Sequence, residues 1–264
     1  MSGYRASRDG VVRVGATTSL TCGARTCFHI VILAGSVCVG PVAASPQEVA
    51  AKLAVPGVWA YVDATGEVRP SGSFTGVPPD EALTREGLER RQSFDFRTDD
   101  PVLGCGPPGM PRALTAASPM TFSWDDDVLI IRYESMDVIR RVPMGEDGPP
   151  PGAPRTPNGY SQARWDGDTL VIETTRLDGR VQDLLGTPKS DAMRLEERYE
   201  IEEAGGEIYL RADLIMTDDR YLAEPYLWHF DFVSRPDWEL MEYACEERPA
   251  ELTPGVVPDA PPSP

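Results

Sequence analysis

Histidine is nearly missing from this chain. Of 264 residues only two are His, and only His229 lies beyond residue 44. That excludes a multi-histidine metal centre. Cysteine is scarce too. Of five, Cys22, Cys27 and Cys38 fall within the first 44 residues. Cys105 and Cys245 remain, too few for a structural zinc site. Positive charge is in deficit, with 25 Lys and Arg against 42 Asp and Glu, a net −17. Such a surface repels nucleic acid and anionic membranes, because phosphate binding needs clustered cations. The chain has no phosphate loop, no dinucleotide fingerprint and no internal repeat. The acidic runs Asp125-Asp126-Asp127 and Asp218-Asp219 lack the spacing of an EF-hand loop, and turn chemistry accounts for them. No metal and no cofactor is expected.

What is there begins with a different N-terminal region. Arg5, Arg8, Arg13 and Arg25 face a single acid, Asp9, and an apolar run from Phe28 to Val42 ends in Ala43-Ala44. A basic start, a short apolar run and small residues at its end read as a secretory signal cleaved after Ala44. The run is shorter than the ~20 apolar residues of a membrane span, and the alternative is an uncleaved anchor. The stretch before it is long, which leaves room for a start downstream of Met1. Val37 ahead of Cys38 speaks against a lipoprotein. The expected organisation is a signal peptide over 1–44, one domain over 45–248 and a disordered Pro-rich tail over 249–264. The expected location is the periplasm or the exterior, with no stable membrane insertion of the mature chain. Without the first 44 residues the balance is 21 basic against 41 acidic, or −20. In an oxidising compartment Cys105 and Cys245 are expected to pair. The alternative is two buried free thiols.

The mature chain opens on Ser45-Pro46-Gln47-Glu48, a capping box with Pro at the first helical position, so a short helix is expected before Pro56. Gly57–Val62 reads as a strand. Thr84 caps a polar helix over Arg85–Gln92. Strands follow at Met120–Trp124, Val128–Glu134 and Asp137–Met144, then a Pro-rich loop from Gly145 to Asn158. Gly159–Thr175 is a β-hairpin about an Asp166-Gly167 turn, with Leu170 and Ile172 on one face. Met193–Glu202 and Glu207–Thr217 form a second hairpin, and Tyr226–Val233 and Glu239–Glu246 a third. About ten strands joined by short turns favour an all-β, antiparallel up-and-down barrel, because closure removes exposed edges. Gly57-Val58-Trp59 after a short helix resembles the Gly-x-Trp entry of lipocalins and calycins, with Arg248 as the ring's candidate partner.

The stretch from Gly159 resembles a further group. Gly159, Tyr160, Ser161, Trp165, Asp166, Gly167, Asp168, Thr169, Leu170, Val171, Ile172, Glu173 and Thr174 match a Gly-[His/Tyr]-Ser-x-x-x-Trp-[Asp/Glu]-Gly-Asp-Thr-Leu-Val-[Val/Ile]-[Asp/Glu]-Thr block. That block is characteristic of a large family of uncharacterised, exported bacterial proteins. The resemblance extends to Pro107–Arg112, Tyr133-Glu134, Arg140-Arg141, Glu197-Arg198 and Glu242–Glu246. It implies export and carries no established activity. Tyr160 stands where His is commoner, so a His-dependent role does not carry over to that position.

Each candidate for chemistry has a structural alternative. Gly159-Tyr160-Ser161 lacks the strand before and helix after of a hydrolase elbow, which leaves Ser161 as a strand-entry residue. Glu197 shares a face with Met193, Leu195, Tyr199 and Ile201. A carboxylate there is either a proton-transfer group or half of an ion pair with Arg132, Arg140 or Arg141. Glu134 and Arg141 flank one hairpin turn and invite the same two readings. His229 lies outside if Trp228 and Phe230 face inward, and otherwise joins Asp231 as a general base. The leading expectation is a barrel whose cavity holds a small apolar or aromatic molecule, lined by Arg164, Trp165, Tyr199, Trp228, Phe230 and Tyr243. The second is a cofactor-independent lyase or isomerase using Glu197 or Glu134 as acid or base, Arg141 or Arg164 against an anion, and Tyr160 or His229 as proton donor. The third is a structural or interaction protein of the cell envelope.

Overall fold

The computed structural model describes residues 45–69, 76–145, 147–243 and 245. The expected leader, Arg248 and the Pro-rich tail lie outside them. The first element, α1 (Pro46–Leu53), carries the expected capping box, with the Ser45 and Glu48 side chains each accepting from the other's backbone N–H. Ten strands follow: β1 (Val58–Val62), β2 (Val68–Arg69), β3 (Met120–Asp125), β4 (Val128–Tyr133), β5 (Val138–Pro143), β6 (Tyr160–Asp166), β7 (Thr169–Thr175), β8 (Arg194–Ala204), β9 (Glu207–Thr217) and β10 (Tyr226–Arg235). Between β2 and β3 lies α2 (Arg85–Gln92), capped by the Thr84 side chain. No helix among the described residues is long and apolar enough to cross a membrane.

The fold is an all-β, nearly closed barrel. Hydrogen-bonded neighbours run β5-β4-β3-β1-β10-β9-β8-β7-β6, with β2 paired on the side to β1. Taken round the barrel this is the order of the chain. Nine strands form the ring, and an odd ring cannot be antiparallel throughout. Eight junctions are antiparallel; seven are ladders of five or more pairs, and the eighth, between β1 and β3, has the single pair Trp59–Met120. The ninth, between β5 and β6, is parallel and carries one isolated bridge, Met144 to Ala163. There Gly145 N–H donates to the Ala163 carbonyl at 2.8 Å. This junction is the seam of the barrel.

Local chemistry sets the turns. The β6–β7 turn lies one residue later than the expected Asp166-Gly167. Asp166 pairs with Thr169 across the ladder, so Gly167 and Asp168 are the central residues. Of these only Gly167 takes positive φ, +65°, which is the pattern of a turn with Gly first rather than one with both residues left-handed. Gly57 is required for a different reason. A Cβ there would meet the Arg235 carbonyl oxygen at 2.1 Å, so its hydrogen atom lets β1 lie against β10.

One expectation is corrected. Of the strand expected over Glu239–Glu246, the described residues, 239–243 and 245, are not in strand conformation. β10 already pairs with β9 on one edge and β1 on the other, so it offers no edge to a following strand. This segment is held instead by Met241 N–H donating to Glu134 Oε2 at 3.0 Å and by the Cys245–Cys105 disulfide. Arg248, expected beside the Trp59 ring, lies outside the described residues, within which that ring is anchored by another contact. The Trp59 Nε1–H donates to the Leu53 carbonyl at 2.9 Å, fastening α1 to β1.

Alternate residues of every ring strand point inward and form one packed cluster. It includes Trp59, Phe122, Leu129, Ile131, Tyr133, Leu170, Ile172, Tyr199, Leu214, Phe230 and Phe232. Tyr61 meets Phe230 and Phe232 edge-on, and Phe122 meets Tyr199 the same way. Burial of these side chains is the main driving force for closure, at about 1.5–3 kcal/mol each relative to exposure.

The disulfide joins residues 140 positions apart. Closing so long a loop contributes up to about 5 kcal/mol through the unfolded state. Cys105→Ser/Cys245→Ser is therefore expected to lower the urea midpoint without altering the far-ultraviolet circular dichroism of the barrel. An unchanged midpoint would show that the bridge carries no stability.

Candidate functional site

The residues around the seam divide by strand alternation into an inner and an outer set. On β5, Val138, Arg140 and Val142 are buried while Ile139 and Arg141 are exposed. On β6, Ser161 and Ala163 are buried, and Tyr160, Gln162 and Arg164 lie on the opposite, outer side. Inside, the Arg140 guanidinium reaches four other strands, β4, β6, β7 and β8. Its Nη2 donates to Glu197 Oε1 at 2.8 Å, Ser161 Oγ at 2.9 Å and Thr174 Oγ1 at 3.1 Å. Its Nη1 donates to Glu197 Oε2 and to the Tyr133 hydroxyl, both at 2.9 Å. Tyr199 adds a bond to Glu197 Oε2 at 2.7 Å. Of the three candidate partners for Glu197, Arg140 is the one present.

This network is sealed. The side chains of Arg140 and Glu197 are 1% and 0% exposed. Burial opposes the Arg140 charge, but the adjacent Glu197 carboxylate more than offsets it and its pKa is raised. Burial pushes the Tyr133 phenol up to about 12. Burial and the Glu197 charge together push Tyr199 well above the ordinary tyrosine value. Arg140 is thus held protonated, and both phenols stay neutral near pH 7. A bidentate pair with this geometry orients strands. Its Glu197 oxygens are already engaged, which favours the ion-pair alternative over proton transfer.

Outside, the seam carries a cavity of about 360 Å³. Its floor is the outer face of β6 and β7, where Gln162 stands opposite Glu173 and Tyr160 opposite Thr175. Gly145, Gly148 and Pro149, from the loop after β5, form one wall. The loop is held there by Gly148 N–H donating to Gln162 Oε1 at 2.7 Å. Arg164 Nη2 lies 3.5 Å from Glu173 Oε1, with side chains 32% and 60% exposed. The site therefore combines a phenol ring and Pro149 with an amide, a guanidinium and a carboxylate, open to water.

The other expected residues are dispersed. Glu134 is buried and accepts from Met241. Arg141 is on the outer surface with Asp125, at 2.8 Å. His229 is also outside, its Nδ1 2.6 Å from Asp213 Oδ1 and its Nε2 3.3 Å from Asp231 Oδ1. The bond to Asp213 raises its pKa, with Asp231 adding to the effect. Trp228 and Phe230 lie in an aromatic row on the inner face of β10, their rings tilted 56° to each other. Tyr243 is exposed, beyond the barrel. Trp165 lies at one end of the barrel beside Trp124. The catalytic set expected from sequence is thus not one site: Glu197 is enclosed, whereas Tyr160, Arg141 and His229 face outward. Sequence reasoning missed Gln162, Glu173 and the wall at Gly145, Gly148 and Pro149. The inward placement of Trp165 and Ala163 was the available signal, since it puts Tyr160, Gln162 and Arg164 on the outer face.

No family model matches the chain, and no curated protein or solved structure shows significant similarity to it.

Removing one partner of a buried ion pair leaves an uncompensated charge and costs about 3–5 kcal/mol. Glu197→Leu and Arg140→Met are each expected to lose stability in that range in urea unfolding. The double variant is expected to lose about 1–3 kcal/mol less than their sum. Additive losses would contradict the pairing.

Proposed function

We propose that this chain is an exported binding protein that takes a small molecule in the seam pocket rather than in the barrel's lumen. The observation that carries this reading is the cavity of about 360 Å³ formed where Gly145, Gly148 and Pro149 meet the outer face of β6 and β7. Its size falls within the ~300–1,000 Å³ range of small-molecule sites. The lumen, by contrast, is occupied by the packed inward side chains.

The lining refines the ligand class. Tyr160 and Pro149 offer apolar surface for a ring, while Arg164, Gln162 and Glu173 offer polar contacts. The ligand proposed is a small, partly aromatic molecule carrying at least one polar or anionic group. The Cys105–Cys245 bond supports an oxidising compartment. The resemblance of the Gly159–Thr174 block to exported bacterial proteins supports the same location, with the leader over 1–44 and the mature chain from Ser45.

A second reading, a cofactor-independent lyase or isomerase, draws on one observation: Tyr160, Arg164 and Glu173 line the same pocket. Binding is preferred because Glu173 is 60% exposed, and acid–base chemistry gains most where water is excluded.

Small molecules released from protein purified from its host can be identified by untargeted mass spectrometry. Wild type and Glu197→Gln are expected to release the same compound per folded molecule. Tyr160→Ala and Arg164→Ala are expected to reduce it at least tenfold. Retention by both pocket variants would remove the seam pocket as the site. Conversion of the compound on incubation with wild type would favour the enzyme.

A further inference from the structure

A second cavity, of about 250 Å³, lies at the end of the barrel beneath α1. It is separate from the seam pocket and shares no lining residue with it. Two indoles, Trp124 and Trp165, line it together with the Met144 thioether, and Asp126 and Asp127 contribute from the β3–β4 turn. No Lys or Arg is among the lining residues. The Trp124 ring is held in place by its own Nε1–H, which donates to the Ala50 carbonyl of α1 at 3.2 Å. Its hydrogen-bonding group is therefore committed to the protein, and its face is the part left for a ligand.

Aromatic faces carry negative charge density and attract cations, Trp most strongly. Thioether sulfur is polarizable and adds dispersion. The two carboxylates supply the long-range attraction. Neither Asp126 nor Asp127 makes a side-chain hydrogen bond or ion pair among the described residues, whereas neighbouring Asp125 is taken by Arg141. The overall acidity of the chain reinforces the preference for cations. The volume is below the ~300–1,000 Å³ of drug-sized sites, which selects a headgroup rather than an extended molecule. We propose that this cavity binds a small organic cation of the quaternary ammonium class, with the Trp124 and Trp165 rings against its methyl groups and Asp126 and Asp127 at the rim.

The site does not depend on the seam pocket, and its test uses choline as probe. The control is 3,3-dimethyl-1-butanol, which replaces the charged nitrogen of choline with carbon. Indole N–H resonances of the full chain are followed by NMR during titration. Choline is expected to shift Trp124 and Trp165 saturably and leave Trp59 in place, with the neutral alcohol at least tenfold weaker. Asp126 has a φ of +52°, which Asn tolerates as Asp does, so Asp126→Asn/Asp127→Asn preserves the turn. That variant is expected to bind choline at least fivefold more weakly, and Arg164→Ala as tightly as wild type. Absence of saturation, equal binding of the neutral alcohol, or an unaffected double variant would each overturn the proposal.

Discussion

Nine strands in a ring leave two neighbours running the same way, and in this barrel that junction has a single bridge in place of a continuous ladder. Between β5 and β6 the backbone supplies one bridge, and between β1 and β3 one antiparallel pair, where the other seven junctions have longer ladders. Arg140 supplies what the backbone does not. From β5 it hydrogen-bonds Ser161 on β6, Thr174 on β7 and Glu197 on β8. A single guanidinium therefore ties the two sides of the seam together, and Tyr133 and Tyr199 complete the polar surroundings. A long side chain with five donors in a planar fork suits this task, and Lys would not span the same set of acceptors.

The same seam creates the outer pocket. Because β6 runs parallel to β5, the chain cannot turn directly from one into the other. It must return across the outside of the barrel, and the Pro-rich segment after Gly145 makes that return. Where it passes β6, Gln162 fixes Gly148, and the space beneath is the cavity lined by Tyr160, Arg164 and Glu173. The buried clamp and the exposed site are thus the two faces of one topological requirement, carried on alternating residues of one strand.

Much of the architecture was legible in the residues. Capping at Ser45 and Thr84, the strand alternations and the hairpin order all follow from local periodicity, and the fold has that form. The misses have physical causes. Asp166-Gly167 is a strong turn signal, but ladder pairing decided which residue came first. Glu239–Glu246 alternates well enough for a strand, yet pairing needs a free edge, and β1 had taken it. The inward face of Glu197 was legible from Leu195 and Tyr199. Its choice of Arg140 over Arg132 or Arg141 follows once Val138 and Val142 are placed inside. The seam pocket was harder to read, because local periodicity does not show where an irregular Pro-rich loop will lie. A packed lumen was equally hard to read, since alternation reports the direction of side chains and not the volume they enclose.

The central claim is that Arg140 holds the parallel seam. Amide hydrogen exchange on wild type and Arg140→Met tests it strand by strand. The account predicts that protection falls on β5, on β6 and at Gly145 N–H, while the long β8–β9 ladder keeps its protection relative to global stability. Exchange that rises uniformly over all strands, or a seam that stays protected without the guanidinium, would contradict it.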